Sequence, residues 1–392
     1  MNTPKGYRFA TIEANLKYSG RKDLGLIVSD LPAAAAGVFT TNKFQAAPVV
    51  MAKSLLDARP FARAVLINAG NANACTGEQG LANCRRTMEL VSDAVGLMPE
   101  EILPASTGVI GMQFNMAKWE TAAAPLASDL GKSTAEDFSR TIMTTDAFNK
   151  IVSRTVEIDG KPVTLLAVAK GAGMICPNMA TMLAVFITDA AVDPAMWQEI
   201  FRAGVDESFN RVTVDGDTST NDTVFGLANG ASGVAVNAAN RPVMQEAVTA
   251  VMREIAYKLV QDGEGATKVI HINVTGAQSK EDAELAARTV GHSPLVKTAM
   301  YGRDANWGRI VAALGRSGAQ FDPEDVVVTM CGVELFRNGQ PTDADFDTML
   351  EPYLKEVDII LDIELGHGNG TYTLLASDLT HKYIDINADY RS

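Results

Sequence analysis

One hydroxyl group in this chain lies where a nucleophile could act. Thr181 follows a glycine-rich segment and a Pro-Asn turn, and it precedes an apolar run, 182–187, that is typical of a buried strand. A threonine needs a base to activate it, and the simplest base is its own α-amine, which a cut between Ala180 and Thr181 would release. A free α-amine has a pKa of about 8, so it can accept the hydroxyl proton near neutral pH. The alternative is a turn that leads into a core strand, in which Thr181 only satisfies a backbone group.

Other reactive side chains fit a catalytic or metal-binding role less well. Cys176 lies close to the threonine, but Lys170 is the only nearby basic residue that could lower its pKa, so we interpret Cys176 as a bystander. Asp215, Asp217 and Asp222 could together hold Mg²⁺ or Ca²⁺, yet their spacing matches no EF-hand loop. Their loop is also rich in side chains that form turns. The residues alone leave both interpretations, a metal site and a structural loop, open.

Composition excludes several classes of partner. Lys and Arg together number 34 against 47 for Asp and Glu, which gives a formal net charge of −13 without any basic cluster. Nucleic acid and anionic membrane surfaces are therefore poor partners. The chain has 392 residues, enough for two domains, and contains no apolar stretch long enough to span a membrane. Its start lacks a signal-peptide pattern and its four cysteines lack C-x-x-C spacing, so we expect a cytoplasmic protein with reduced thiols.

Helical and strand patterns alternate along the chain, which indicates an α/β protein. Asp193-Pro194 predicts the start of a helix, because Asp caps helices and Pro suits the first helical position. A polar break at 276–280 places the domain boundary there, giving domains 1–275 and 276–392. Alternation of apolar and polar residues over 383–387 predicts a strand that anchors the C-terminal tail. The other predicted strands are 163–169, 269–274, 326–330, 359–363 and 372–375.

Eight blocks of sequence, spread from end to end of the chain, carry a family resemblance: 23–30, 36–42, 65–77, 104–111, 174–183, 208–222, 296–309 and 387–392. They resemble the ornithine acetyltransferase (glutamate N-acetyltransferase) family, the self-cleaving ArgJ-type enzymes of arginine biosynthesis. The resemblance implies an α/β/β/α sandwich domain, which resembles N-terminal-nucleophile hydrolases but is distinct from them, and a smaller C-terminal α/β domain. It also implies a cut of the first domain between Ala180 and Thr181, into an alpha chain 1–180 and a beta chain 181–392.

The resemblance also assigns roles to individual residues. Thr107 and Gly108 match the positions of the oxyanion hole, where a hydroxyl and a backbone N–H could point at one atom. Lys170, which the sequence presents as a lone cation beside an apolar strand, suits a substrate carboxylate. Glu264, flanked by glycines after a helix, suits an ammonium group. Ser392 stands where many members end in threonine, and it keeps the hydroxyl. The implied substrate contacts are Thr144, Lys170, Thr181, Glu264, Asn387 and Ser392.

The implied function is acetyl transfer by a ping-pong mechanism through an acetyl ester on Thr181. N-acetylornithine gives its acetyl group to Thr181 and leaves as ornithine, and glutamate then takes the group as N-acetylglutamate. The resemblance implies no metal site and no cofactor; acetyl-CoA as a second acetyl donor stays open. The alpha and beta chains are expected to stay together, two of each. The alternatives are an N-terminal-nucleophile amidohydrolase or aminopeptidase, a relative that acetylates another amine in secondary metabolism, and a non-enzymatic α/β module with an inert Thr181.

Overall fold

The structure of the protein is a computed structural model that describes residues 1–176 and 182–389. The chain forms two compact units, each described here by itself. The first contains Met1–Asn210 and Asp217–Leu259, and the second contains Arg211–Gly216 and the described part of Val260–Tyr390. Among the described residues, no helix is both long and apolar enough to cross a membrane.

The first unit is built on one continuous sheet flanked by helices. Its strands are β1 (Tyr7–Ile12), β2 (Leu24–Phe39), β3 (Phe61–Asn71), β4 (Ile102–Val109), β5 (Lys150–Ile158), β6 (Lys161–Lys170), β7 (Leu183–Thr188) and β9 (Thr223–Ala228). Its helices are α1 (Ala47–Ala58), α2 (Gly77–Val95), α3 (Met116–Asp129), α4 (Ala135–Thr141), α5 (Pro194–Asp206) and nearly all of α6 (Arg241–Gln261).

The long strand β2 makes this sheet into two layers. Its first part pairs with β1 and β3, whereas Ala34–Phe39 pair with β9, and the register shifts between Val28 and Ala33. A strand that switches layers at such an irregularity forms the corner of a β-sandwich. One layer therefore has the order β4-β3-β2-β1 and the other has the order β2-β9-β7-β6-β5.

Apolar side chains from both layers meet in one core. Ile67 of β3, Leu103 of β4, Val168 of β6 and Val185 of β7 belong to the same buried cluster. Helices cover the outer faces: α2 and α3 pack on the first layer, and α5 on the second, where the indole N–H of Trp197 donates to a strand carbonyl. The α/β/β/α sandwich expected from the sequence is confirmed.

The second unit is a smaller α/β structure with one sheet of order β13-β12-β11-β14-β10-β15-β8. Helices α7, α8 and α9 pack against one face of it in a single apolar core. Its strands are β8 (Val212–Thr213), β10 (Val269–Ala277), β11 (Val327–Met330), β12 (Val333–Arg337), β13 (Gln340–Pro341), β14 (Asp358–Glu364) and β15 (Gly370–Ser377). Its helices are α7 (Lys280–Gly291), α8 (Pro294–Gly302), α9 (Trp307–Gly315), α10 (Phe346–Leu350) and α11 (His381–Asp389).

Most of the predicted elements are confirmed, including the helix that starts after Asp193, whose carboxylate accepts hydrogen bonds from two N–H groups of its first turn. The boundary between the units differs from the expected 275/276. The second unit takes in the chain from Val260 and also Arg211–Gly216, because β10 pairs on both sides within the second sheet and β8 pairs with β15. A break after a strand therefore does not mark the edge of a unit here.

The strand predicted over 383–387 is wrong, because these residues lie in helix α11. The hydroxyl of Thr380, just before the helix, accepts a hydrogen bond from the N–H of Tyr383 at 3.4 Å, as an N-cap residue does. Ile384 is 62% exposed, so the alternating pattern does not bury an apolar face. Five alternating residues are compatible with either element, and the cap favours the helix.

Candidate active site

Thr107 and Gly108 lie at the carboxyl end of β4, beside the end of β3. The two strands run parallel, and Gly108 is opposite Gly70. Gly108 has φ +131°, and a Cβ atom built on it would lie 2.1 Å from the carbonyl carbon of Gly70. Glycine is therefore required for the two backbones to approach this closely. The neighbouring Thr107 side chain is buried, so its hydroxyl has a defined direction.

A buried set of amides holds this strand end in place. The side-chain N–H₂ of Asn221 donates to the carbonyl of Ala72 at 2.7 Å and to the carbonyl of Ser106 at 2.8 Å. The Ser106 hydroxyl in turn bonds the Asn68 amide oxygen at 2.6 Å. Asn221 thus ties together the ends of β3 and β4 immediately before Thr107. Sequence reasoning missed these residues, although the blocks 65–77 and 208–222 carry the unusual run of Asn, Ser and Thr that they belong to.

Lys170 connects the second layer of the sandwich to this strand end. It is the last residue of β6, and its Nζ donates to the Thr107 hydroxyl at 3.0 Å. In the sheet it is paired with Leu183, the first residue of β7, which lies two residues after Thr181 along the chain. The sequence interpretation of Lys170 as a lone cation is wrong, because charged partners lie on the adjacent loop and strand.

Those partners are Asp146 and Lys150, whose side chains are both fully buried and 2.7 Å apart. The same carboxylate accepts hydrogen bonds from the backbone N–H of Gly171 at 2.6 Å and of Thr144 at 2.9 Å. Burial alone would raise the pKa of Asp146, but the charges of Lys150 and Lys170 and these hydrogen bonds together lower it to about 2. Asp146 is therefore ionised at neutral pH. It fixes the backbone of Thr144, which is a predicted substrate contact. It also fixes the backbone of Gly171, which directly follows Lys170, a second predicted contact.

Two further predicted residues come together in the second unit. The side-chain N–H₂ of Asn387, on α11, donates to the carboxylate of Glu264 at 2.7 Å and to the carbonyl of Tyr383 at 3.0 Å. Glu264 is largely buried in the turn that follows α6. The next residue, Gly265, has φ +70°, and a Cβ there would lie 2.8 Å from α11, so the close contact between turn and helix needs a glycine. Glu264 and Asn387 are more than 120 residues apart in sequence, which makes their pairing a result of the fold.

Ala180, Thr181 and Ser392 lie outside the described residues, so the predicted nucleophile, cleavage site and tail contact stay predictions. The nearest described residues on either side of the first two, Cys176 and Met182, are held by β9 and by the loop before it. Thr218 donates its hydroxyl to the carbonyl of Cys176 at 3.1 Å, and the carbonyl of Met182 accepts from the N–H of Thr223 at 3.0 Å.

The described residues contain no group of three or more His, Cys, Asp or Glu side chains that could hold a metal ion. Of the three aspartates considered from the sequence, Asp215 belongs to the second unit, where its carboxylate accepts from the hydroxyl of Tyr383 at 3.4 Å. Asp217 and Asp222 belong to the first unit.

The arrangement in the first unit suits carbonyl chemistry. The buried Thr107 hydroxyl and the Lys170 ammonium group lie 3.0 Å apart at strand ends, and Gly108 directly follows Thr107 in the chain. Fixed donors of this kind stabilise negative charge on a carbonyl oxygen. Because the donors sit on packed strands, little reorganisation is needed when that charge develops.

This chain is similar to known proteins along nearly its whole length. The family that matches is the ArgJ family, over residues 8–392. The chain is 65% identical to the arginine biosynthesis bifunctional protein ArgJ of Nitratidesulfovibrio vulgaris over 390 residues, which covers 100% of this chain and 99% of the relative. It is 45% identical to the protein of the same name from Geobacter sulfurreducens, with 99% of both chains covered. A crystal structure of ArgJ from Bacillus halodurans has 38% identity and a TM-score of 0.49, and the match covers 52% of this chain and 96% of that one.

Proposed function

Because this chain belongs to the ArgJ family, we propose that it moves the acetyl group of N2-acetylornithine to glutamate, in the cyclic route of arginine biosynthesis. The family makes it an acyltransferase. The observation that carries the mechanism is the 3.0 Å hydrogen bond from Lys170 to Thr107. It brings a predicted substrate ligand and a predicted oxyanion donor to one point, and Lys170 is paired in the sheet with Leu183, two residues after Thr181 along the chain.

In the first half-reaction the Thr181 hydroxyl attacks the acetyl carbonyl and its free α-amine takes the hydroxyl proton. The carbonyl oxygen becomes an oxyanion that the Thr107 hydroxyl and the Gly108 N–H stabilise. When the intermediate collapses, the C–N bond breaks, ornithine leaves with the proton on its amine, and an acetyl ester stays on Thr181. In the second half-reaction the amine of glutamate attacks this ester and restores the hydroxyl.

The same groups account for the cut that creates the amine. In the uncut chain the Thr181 hydroxyl attacks the Ala180 carbonyl, the C–N bond breaks, and the acyl group moves from nitrogen to oxygen. Water then hydrolyses the ester and leaves a carboxylate on Ala180 and a free amine on Thr181. The products are an alpha chain 1–180 and a beta chain 181–392, and we propose that two of each assemble into a heterotetramer.

Substrate recognition is divided among the remaining predicted residues. Lys170 attracts a carboxylate of the substrate, and Thr144 supplies a polar contact on the segment that Asp146 holds. Glu264 binds an ammonium group, with Asn387 fixing the direction of its carboxylate by the 2.7 Å hydrogen bond. Ser392 offers a hydroxyl to the shared amino-acid part of the substrates. No cofactor takes part.

A second activity is favoured by the word "bifunctional" in the name of the relative that is 65% identical. We propose acetyl-CoA as a second acetyl donor for glutamate, acting through the same acetyl ester. Glutamate acetylation from acetyl-CoA, measured against acetylation from N2-acetylornithine with one enzyme preparation, tests it.

The decisive test is the mass of the protein before and after donor addition. We expect two co-purifying chains, the second starting at Thr181, and a gain of one acetyl group on that chain with N2-acetylornithine alone, which glutamate removes. Thr181→Ala should stay a single inactive chain. Parallel lines in initial-rate plots should accompany the acetylated form.

Three outcomes would each contradict the proposal. An active full-length chain would exclude the N-terminal threonine mechanism, and free acetate released without glutamate would indicate an amidohydrolase. Acetyl transfer to another amine, but not to glutamate, would indicate a relative of secondary metabolism.

A further inference from the structure

The buried ion pair of Asp146 and Lys150 has no role in the reaction proposed above. Both side chains have zero exposure, and a buried pair of charges costs free energy unless its geometry and hydrogen bonds repay it. An apolar pair would fill such a position as well in most cores. The residues around this ion pair should therefore explain why charged side chains occupy the position.

The surroundings are two predicted substrate contacts. One carboxylate oxygen of Asp146 accepts from Lys150 and from the N–H of Gly171, and the other accepts from the N–H of Thr144. Gly171 has φ +148° and directly follows Lys170, so its position decides the direction in which the chain leaves β6. Lys150, at the start of β5, is paired in the sheet with Ala169, the residue before Lys170.

We propose that Asp146 is a positioning residue for acetyl transfer, which holds Lys170 and Thr144 in place for the substrate, and that Lys150 is its counter-ion. This inference rests on the proposed function. Asp146 acts through the backbone: by fixing Gly171 it keeps Lys170 aimed at the Thr107 hydroxyl.

The pH dependence of kcat/KM distinguishes a role for the charge of Asp146 from a role in packing alone. The charged groups that face Asp146 are Lys150 from β5 and Lys170 from β6, and their charges help to keep its pKa near about 2. In Lys150→Met the burial remains while one of these charges is lost, so the pKa of Asp146 must rise. The carboxylate then takes up a proton as the pH falls, and kcat/KM should fall on the acid side and recover at higher pH.

The experiment measures kcat, KM for N2-acetylornithine and for glutamate from pH 5 to 9, the extent of cleavage, and the thermal unfolding of each variant. Lys150→Met should raise both KM values by about tenfold, the size expected for a charge-assisted contact, and add the acid limb. Asp146→Asn alone leaves a buried ammonium without its carboxylate and is expected to unfold. The double variant Asp146→Asn/Lys150→Met removes both charges and carries the test.

The double variant should fold and be cleaved, yet lose at least about tenfold in kcat/KM. The N–H groups of Gly171 and Thr144 bond different oxygens of Asp146, and asparagine replaces one of these oxygens with a donor. Arg140→Met is the matched control: Arg140 and Glu136 form an exposed i,i+4 pair at 2.8 Å, with the sequence spacing of Asp146 and Lys150. It should leave every measured value unchanged.

Two results would overturn the inference. One is a double variant with wild-type kcat and KM, and the other is a Lys150→Met profile that runs parallel to the wild-type profile at every pH. Failure of the proposed function has a different signature, since the wild-type protein itself would then transfer no acetyl group to glutamate.

Discussion

The predicted site residues of the two units are held in different ways. In the first unit Thr107, Gly108 and Lys170 lie at the ends of strands that are packed on both faces and braced by buried amides and a buried ion pair. In the second unit Glu264 lies in a turn and Asn387 lies near the end of an exposed helix without buried residues.

This contrast matches a division of chemical labour. Groups that stabilise charge on a reacting carbonyl must be held to within a fraction of an ångström, and strand ends provide this. Groups that recognise the amino-acid ends of two different substrates can tolerate more freedom. Changes of the oxyanion donors Thr107 and Gly108 should therefore alter both cleavage and transfer, whereas changes in the second unit should alter only substrate affinity.

Gly108→Ala should have the largest effect. The new Cβ would lie 2.1 Å from the Gly70 carbonyl carbon at a φ of +131°, so β3 and β4 must separate. We expect cleavage and acetyl transfer to slow by about 10²–10³-fold, the usual cost of losing an oxyanion donor. Single-turnover cleavage and kcat report this.

Gly96→Ala is the control for Gly108→Ala, because Gly96 also has a positive φ, +70°, but nothing lies within 4 Å of its added Cβ. It should lose some stability and keep both rates. Equal rate losses in the two variants would refute the argument from close approach.

Asn221→Ala should have the next largest effect. It leaves the buried carbonyls of Ala72 and Ser106 without their donor, which should lower the free energy of unfolding by about 2–4 kcal/mol. Because Ser106 precedes Thr107, cleavage and transfer should slow together. Urea unfolding and both rates measure the outcome.

Asn229→Ala tests whether the effect of Asn221→Ala belongs to the site. Asn229 is equally buried, at 6% exposure, and its amide donates to the carbonyl of Lys5 at 3.0 Å, in contacts separate from those that hold β3 and β4 together. It should lose similar stability without losing rate. If Asn221→Ala also keeps both rates, Asn221 has only a structural role.

The smallest effects are expected in the second unit. Glu264→Gln should raise KM for the ammonium-bearing substrate by about 10- to 100-fold, as for loss of a charged hydrogen bond, and Asn387→Ala by about 2- to 10-fold. Removal of 390–392 should resemble Asn387→Ala. Cleavage should stay complete in all three, as shown by intact mass.

Glu281→Gln, an exposed acid at the start of α7, is the control for these three changes and should keep both KM values. Incomplete cleavage in Glu264→Gln would contradict the expectation that changes in the second unit affect only substrate affinity. Normal kinetics after removal of 390–392 would withdraw the tail as a substrate contact.

How much of the fold and of the candidate site could be predicted from sequence depends on how far apart in the chain the interacting residues lie. The strands of 163–169 and 269–274 and the helix after Asp193 follow local rules of periodicity and capping, and they are confirmed. The tail helix was missed because five alternating residues are ambiguous and the capping role of Thr380 was overlooked.

The partners of the site residues could not be predicted, because they are set by the sandwich. Nothing local in the sequence tells that Asn221 reaches Ser106, 115 residues away. Lys170 was interpreted as a lone cation for the same reason. Asp146 accepts a hydrogen bond from Gly171, the residue after Lys170, across a sequence separation of 25 residues. Side chains that support a site lie where strands from distant segments end, and a pattern along one segment does not report that.

The order of strands in the sandwich also constrains whether the chain could be cut before or after it folds. In the second layer β9 and β7, which follow position 181, lie between β2 on one side and β6-β5 on the other, all of which precede it. In a chain cut at that position, the first piece would lack β7 and β9 in the middle of this layer. The second piece would lack β2, β5 and β6 at its sides. If the chain is cut there, the fold must assemble before the cut. The two pieces made separately should then aggregate through unpaired strand edges, and a precursor that cannot be cut should still reach the finished fold.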